Sequence, residues 1–173
     1  MDGDERDVYL AALITAARQR LEHETRRSFL RQRWRAWITG DFGACLPVSL
    51  PRPRLMDDAV LLEYRTAGQV WAPYASATVT AGKEPAQLWT IATPGDIVSP
   101  DHDGDAVWRA SYWAGYGTST ASVPGPLKAA VMMLVAHLHE HPEIIISGNT
   151  SQLPLGLGWL LDPYRVPWEG AIK

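Results

Sequence analysis

The sequence has little of the chemistry that stabilises small secreted or metal-bound proteins. Its 173 residues contain one cysteine, Cys45, which excludes an intrachain disulfide and any zinc site built from several thiolates. A single thiol fits a protein that is made and assembled inside a cell. The acidic N-terminal stretch lacks the basic and apolar regions of a signal peptide, and no apolar run reaches the ~18 residues that span a bilayer. We therefore expect no membrane partner.

Positive charge is also in short supply. The chain has 19 acidic and 16 basic residues and a formal net charge of −3, whereas a protein whose main task is to grip phosphates is usually basic. Seven arginines nevertheless fall within residues 18–35, so a nucleic-acid contact at that cluster is one hypothesis. The favoured interpretation is a basic helix end followed by the solvated face of a strand, because Glu22 and Glu24 dilute the charge.

Common catalytic motifs are missing as well: the sequence contains no G-x-S-x-G elbow, Walker loop or G-x-G-x-x-G fingerprint. Residues 137–141, HLHEH, do match the H-x-x-E-H pattern of inverted zinc peptidases. On a helix, His137 and His141 share a face with Glu140 beside them, which leaves a small zinc hydrolase as the alternative function. Against it, Pro142 stops the helix directly after His141, and the sequence offers no good third ligand. The favoured interpretation is a helix end that carries histidines near the negative end of the helix dipole.

Hydrophobic periodicity predicts helices on both sides of a β-rich middle. Residues 4–27 carry one apolar stripe, with acidic residues at the start and arginines at the end. Residues 126–141 carry a second stripe that starts at a proline and stops before another. Between them, residues 32–38, 60–65 and 106–113 alternate apolar and polar side chains, and links rich in Pro, Gly and Asp separate these runs. The sequence therefore predicts a single α+β domain over residues 1–173.

Three segments, taken in order, resemble the head–tail connector (adaptor) proteins of long-tailed bacteriophages and gene transfer agents. The first is a helix with the pattern LI-x-AAR-x-x-L-E-x-x-T-x-R that leads into a tryptophan-containing strand. The second is the turn LPRPRL before the next strand. The third is a strand ending in AGYG, followed by VPGPLKAAV, which opens a helix ending in HLHEHPE. The matching residues are 13–18, Glu22, Thr25, Arg27, 51–55, 114–117, Val123, Pro124, Pro126, Lys128, Ala129, His137, Glu140 and Glu143.

The resemblance implies an α+β fold of two long antiparallel helices packed together, a small antiparallel β-sheet insertion between them and an apolar C-terminal arm. It also implies a structural role in the virion instead of catalysis, with no cofactor and no bound metal. Members of this family form a homo-oligomeric ring, commonly of twelve subunits, at the head–tail junction. Such a ring assembles in the cytoplasm of the host bacterium.

The resemblance also implies the partners. The ring binds the portal protein and joins it to the next connector or tail-terminator ring. DNA passes through the axial channel of the ring without specific binding. The acidic balance of the chain suits such a channel, because contacts to phosphate dominate the affinity of proteins for DNA.

The apolar C-terminal arm, residues 153–173, is the candidate docking element. Proline and glycine interrupt it, so the sequence favours an extended arm or one short helix over residues 159–164. The chain contains eight tryptophans, a residue type common at the centres of interfaces, and we expect the arm to bind the portal or a neighbouring subunit. The candidate anchors are Leu155, Leu157, Trp159, Leu160, Tyr164 and Trp168. The alternative is that the arm folds back onto the protein's own helices.

Overall fold

The computed structural model describes residues 3–39, 47–57, 59–66, 68–80, 84–90, 106–141 and 155–166. Three α-helices lie in these ranges: α1 (Gly3–Thr25), α2 (Gly125–Glu140) and α3 (Leu155–Leu161). Single turns of 3-10 helix at Thr120–Ser122 and Asp162–Tyr164 precede α2 and follow α3. None of the helices described is long and apolar enough to cross a membrane.

Seven strands in the described ranges form two antiparallel sheets. They are β1 (Gln32–Thr39), β2 (Val48–Ser49), β3 (Leu61–Arg65), β4 (Trp71–Pro73), β5 (Ala77–Thr80), β6 (Gln87–Thr90) and β7 (Ala106–Ala114). The larger sheet has the order β1-β7-β3-β4 and the smaller sheet the order β2-β6-β5. Because β7 pairs with both β1 and β3, the three longest segments predicted as strands meet in one sheet.

Alternation along β1 and β7 decides which side of the larger sheet is buried. Ala36 and Ile38 are each 3% exposed, and they lie opposite Ala110 and Trp108, which are also buried. Arg35 and the other odd-numbered side chains described in β1 are exposed. Successive side chains of a strand point to opposite faces, so the alternation predicted for this segment is confirmed.

The helices share an apolar core of their own. Its buried side chains are Ala17, Leu21, Phe29, Val123, Leu127, Ala130, Leu134, Leu157 and Leu161. In α1, Leu13, Ala17 and Leu21 recur at intervals of four residues and are all buried, whereas Leu10 and Ile14 of the predicted apolar stripe are half-buried and exposed. The short helix α3 contributes two leucines that have no exposed surface.

The predicted arrangement of elements is wrong, although the α+β class is right. In place of two long packed helices, one small sheet and an apolar arm, the described residues form three helices and two sheets, and α2 has 16 residues. Strands of two to four residues build the second sheet, and runs this short show no period in a sequence. The described part of the arm becomes a helix because Leu157 and Leu161 bury apolar surface that an extended arm would leave in water. The single domain over residues 1–173 stays a prediction.

A buried polar junction joins the end of α1 to the start of β1. Arg26 adopts a φ of 56° where the helix ends. The Glu22 carboxylate, in a residue that is 7% exposed, accepts hydrogen bonds from Phe29 N at 2.7 Å and from Gln32 Nε2 at 2.9 Å. Arg18 Nη1 lies 3.2 Å from the same carboxylate. These partners offset the cost of removing a carboxylate from water, and they fix the path of the chain from helix to strand.

Arg27 extends this junction to the C-terminal segment. It is 8% exposed, its Nε donates to the backbone carbonyl of Tyr164 at 2.6 Å, and its Nη1 donates to Glu84 Oε2 at 2.7 Å. The Val166 amide donates to the Thr25 carbonyl at 3.2 Å. Arg27 and Tyr164 are 137 positions apart in the sequence, so the end of α1 holds the segment that follows α3.

The turn LPRPRL contacts the same junction. The Arg52 guanidinium donates to the Glu22 carbonyl, and the Tyr112 hydroxyl donates to the Pro51 carbonyl. Burial raises the pKa of Tyr112 and lowers that of Arg52. The Tyr112 hydroxyl therefore keeps its proton, and its role as a donor, throughout the neutral pH range.

The AGYG stretch, residues 114–117, forms backbone hydrogen bonds to the turn LPRPRL and to Arg31 before β1. The Gly115 amide donates to the Arg54 carbonyl at 2.9 Å, and the Gly117 carbonyl accepts from the Arg31 amide at 2.8 Å. Gly115 has a φ of 140°, and a Cβ placed there would lie 2.5 Å from the Leu30 carbonyl oxygen. Only glycine fits at position 115, because any side chain there would overlap the backbone of Leu30 and Arg31. The three segments that carry the family resemblance thus contact one another at a single place.

Replacing Gly115 with alanine is expected to lower the free energy of unfolding by about 1–3 kcal/mol, because the added methyl group overlaps the backbone at Leu30. Gly158→Ala, inside α3, is the matched control, since a Cβ there meets nothing within 4 Å and alanine favours the helix. Urea unfolding followed by circular dichroism measures both variants. Equal stability of the two would contradict this account of the AGYG stretch.

Candidate interaction surfaces

The predicted anchors within α3 separate into buried and exposed side chains. Leu157 is fully buried in the helical core, whereas Trp159 is 86% exposed. Leu160 is half-buried and packs at the edge of the same core. The described part of the arm therefore folds back onto the protein's helices, while one tryptophan remains on the surface.

The remaining predicted anchors are Leu155, the first residue of α3, and Tyr164 and Trp168, which come after it in the sequence. Tyr164 is half-buried, and its backbone carbonyl accepts the hydrogen bond from Arg27. The side chain of Leu155 and the whole of Trp168 lie outside the described residues. The role of these side chains in docking stays a prediction.

An apolar groove of about 530 Å³ lies between α1 and α2. Its apolar lining includes Leu10, Ile14, Val131, Met132, Val135 and Ala136. Ile14 is 50% exposed and Met132 is 66% exposed, so the groove opens to solvent. This surface was not predicted from the sequence. The signal was present, because α2 is apolar nearly all round, a pattern typical of helices covered on more than one side.

The exposed face of the larger sheet combines arginine with tryptophan. The Arg109 guanidinium lies 4.6 Å from the Trp71 ring centroid, and the Arg31 guanidinium lies 4.1 Å from that of Trp113. Trp37 meets Trp71 edge to face at 5.5 Å. Cations over indole faces are attracted by the ring quadrupole, so these side chains are already engaged with one another.

The arginine cluster at residues 18–35 is divided among several roles. Arg18 and Arg20 pair with Glu22 and Glu24, one helical turn away. Arg27 is buried in the junction, and the arginines of β1 lie on the exposed sheet face. These contacts agree with the interpretation of the cluster as a helix end followed by the solvated face of a strand.

One ion pair on the sheet face is shielded from solvent. Arg109 donates from Nε and Nη2 to the two carboxylate oxygens of Glu63, each at 2.6 Å, and the two side chains are 19% and 14% exposed. The hydrogen bond from Arg109 holds the pKa of Glu63 below its usual value. Glu63 and Arg109 lie directly opposite each other in β3 and β7, so the pair ties these strands together.

Glu63→Gln is expected to lower the free energy of unfolding at pH 7 by about 1–3 kcal/mol, because the amide has one acceptor oxygen for the two Arg109 donors and leaves the guanidinium charge without its carboxylate partner. A lowered folded-state pKa stabilises the protein above the unfolded-state pKa of about 4.3, and this stabilisation fades as the pH falls further. The difference in the free energy of unfolding between the wild type and Glu63→Gln should therefore become smaller below about pH 4. Asp57→Asn is the control, because Asp57 forms a more exposed pair with Arg31 at 3.3 Å. A gap that stays constant down to low pH would count against the role given to Glu63.

The HLHEH stretch lies at the C-terminal end of α2. The rings of His137 and His141 are 5.0 Å apart, so the two do share a face. His141 is the residue at which the helix ends, and Glu140 is exposed. Within the described ranges, no three His, Cys, Asp or Glu side chains are grouped so that they could hold a metal ion. The zinc site considered from the sequence therefore has no third ligand in that part of the chain.

Comparison with known proteins gives no match by sequence but clear matches by structure. No family model matches the chain, and no curated protein matches it. A chain from the neck of an empty gene transfer agent particle, computed with C6 symmetry, matches with a TM-score of 0.70 at 20% identity, over 95% of this chain and 82% of that chain. A chain from the neck of the native particle, computed with C12 symmetry, gives a TM-score of 0.69 at 21% identity over 97% and 88%.

This chain has the fold of a gene transfer agent neck protein. A chain from the virion of the native gene transfer agent particle matches as well, with a TM-score of 0.66 at 20% identity over 95% of this chain and 81% of that chain. The neck fold thus extends over almost the whole sequence. It confirms, at the level of the fold, the resemblance to phage and gene transfer agent connectors that the three sequence segments indicate.

Proposed function

We propose that this chain is a virion structural protein: a connector in the neck of a phage-like particle that binds the portal and links the DNA-filled head to the tail. The observation that carries the proposal is the neck fold, matched over 95–97% of this chain with TM-scores of 0.69 and 0.70. The protein works in the virion at the head–tail junction after assembly in the host cytoplasm. Its role is structural, so the proposal assigns no catalytic residue.

The proposed working form is a homo-oligomeric ring of twelve subunits. The matching necks were computed with C6 and C12 symmetry, which supports this form. Exposed apolar surface supports it too, because soluble monomers rarely expose large contiguous apolar patches. On this chain such surface is present in the α1–α2 groove and at Trp159.

DNA passes through the proposed ring without specific binding. The net charge of −3 supports this, because tight retention of DNA depends on many cationic contacts to phosphate. Several arginines are already paired within the chain: Arg18, Arg20, Arg27, Arg31, Arg109 and Arg165 all have carboxylate partners. Fewer guanidinium groups then remain to hold the phosphates of moving DNA.

The proposed portal contact is made by the chain beyond α3, with Trp168 as its main anchor. Leu157 and Leu161 are used in the protein's own core, so α3 has less apolar surface to offer than the sequence suggests. The hydrogen bond from Val166 to Thr25 fixes the point from which this last segment leaves. The next connector or tail-terminator ring is proposed to bind elsewhere on the ring.

Native mass spectrometry of the purified protein tests the ring and the metal together. We expect a metal-free ring whose mass corresponds to twelve subunits, because a matching neck was computed with C12 symmetry and a closed ring repeats one contact around its axis. One tightly held zinc ion per chain would contradict the connector role. That result would support the alternative of a hydrolase using His137, Glu140 and His141.

Co-sedimentation with a purified portal ring from the same source tests the docking segment. Trp168→Ala is expected to weaken portal binding by about tenfold or more, the effect typical of a buried aromatic anchor. Lys173→Ala, in the same segment, is the matched control and should bind as the wild type does. A chain truncated after Val166 keeps the hydrogen bonds described above. If the truncated chain still joins the portal ring, the last segment has no docking role.

A further inference from the structure

Trp159 is presented on a rigid support. Its neighbours Leu157 and Leu161 have no exposed surface and pack in the helical core, whereas Trp159 itself is 86% exposed. Residues two positions before and after it are thus fixed inside the protein. A large indole held outward in this way loses little conformational entropy when a partner covers it, so it is suited to bind a preformed apolar site.

The groove between α1 and α2 is such a site. It measures about 530 Å³, and a cavity of roughly 150 Å³ with an apolar lining already takes up benzene. Ile14 and Met132, which line it, expose 50% and 66% of their surface. The groove therefore has both the space and the apolar surface to accept an indole ring.

Trp159 and the groove lie on different sides of α2. The groove is lined by Lys128, Met132 and other side chains along one side of that helix. α3 packs elsewhere on that helix: Leu157 and Leu161 share the core with Ala130 and Leu134, and Met133 Cε lies 3.6 Å from the position of a Cβ on Gly156. At 100° per residue, Met133 is roughly 130° around α2 from the middle of the groove. A projection and a recess on different sides of one molecule join copies head to tail, and such contacts form a ring where the rotation between neighbouring copies closes.

Resting on the proposed ring, we infer that Trp159 of each copy inserts into the α1–α2 groove of the next copy. Trp159 and the groove are then the surfaces that hold adjacent subunits together. The connector role alone does not specify these surfaces. It is separate from the portal contact assigned to the residues beyond Val166.

The charges beside the two surfaces complement each other. Asp162 follows Trp159 by three residues, and its side chain is 61% exposed. Lys128 lines the groove and is exposed, and it has no ion pair with any residue that the structure describes. An indole seated in the groove brings Asp162 of one copy towards Lys128 of the next. Complementary charges at the rim of an apolar contact favour one orientation of the partners.

Sedimentation velocity over a range of protein concentrations tests the contact. Trp159→Ala is expected to weaken self-association by about tenfold or more without lowering the thermal unfolding temperature, because the side chain is exposed. The matched control is Val70→Ala, which truncates another exposed apolar side chain (64%) and should leave self-association unchanged. If Trp159→Ala assembles like the wild type, or if the wild type is monomeric at every concentration, the inference is overturned.

Complementation between variants tests the direction of the contact. Ala136 is exposed and lines the groove, so Ala136→Trp fills the groove without removing any core atom. At a protein concentration where the wild type assembles but a severalfold weaker variant does not, each variant alone should be a monomer. A mixture of Ala136→Trp and Trp159→Ala should form one-to-one dimers, because one variant retains the projection and the other retains the recess. A mixture that stays monomeric while both variants are folded would overturn the head-to-tail contact.

Exchanging the charges of Lys128 and Asp162 tests whether these two side chains pair between copies. Lys128→Glu and Asp162→Lys are each expected to weaken self-association severalfold, and the two substitutions combined in one chain should restore it. Loss of the pair between Asp162 and Arg165 has little effect on stability, because both groups are well exposed. If the double variant assembles no better than the single variant that assembles less, Lys128 and Asp162 do not pair between copies.

Portal binding by the same variants separates this inference from the proposed function. Wild-type chains that self-associate through Trp159 but never bind a portal ring would uphold the contact between copies and refute the connector role. Trp159→Ala chains that form complete rings on the portal would support the connector role and refute the contact between copies. If Ala136→Trp blocks portal binding while Trp159→Ala leaves self-association intact, the groove holds a portal segment and the inference fails.

Discussion

The fold depends on the buried polar junction at the end of α1. Glu22 and Arg27 are both more than nine-tenths buried, and each is stabilised by several hydrogen bonds that replace lost water. Removing one partner would leave a buried charge or amide unpaired, which costs more than the lost hydrogen bond itself. Since these bonds reach β1, the Glu84 segment and the residues after α3, the junction sets how the helices and the larger sheet meet.

Local periodicity was sufficient to predict the long elements from sequence. Ala36 and Ile38 alternate with arginine and tryptophan, and Leu13, Ala17 and Leu21 recur every four residues, so the strand and the helix were identified together with their buried sides. The C-terminal leucines were harder, because the stretch is broken by glycine and proline. Once it is helical, Leu157 and Leu161 share one face and Trp159 lies on the opposite one. Leu157 and Trp159 were both predicted as docking anchors from the sequence, and the structure separates them into a buried and an exposed side chain.

Contacts between distant segments could not be predicted from the sequence. Nothing near Arg27 indicates that its partner is 137 positions away, and the groove exists only because α1 and α2 meet at a particular spacing. The three segments that resemble connector proteins illustrate the same point. Glu22, Arg52 and Gly115 lie together at the junction, so the resemblance concerns the residues that shape the fold. That is why it indicated the likeness in fold to neck proteins, whereas the α1–α2 groove was not predicted from it.

The bond from Arg27 to the backbone carbonyl of Tyr164 has a consequence for how such a protein can change. A guanidinium that binds a carbonyl oxygen recognises the course of the main chain and is indifferent to the side chain at that position. The residues after α3 are therefore anchored by their path. Side chains in this segment that face solvent can diverge in evolution without loss of this anchor, whereas Tyr164 also packs against the helical core and Arg165 pairs with Glu24.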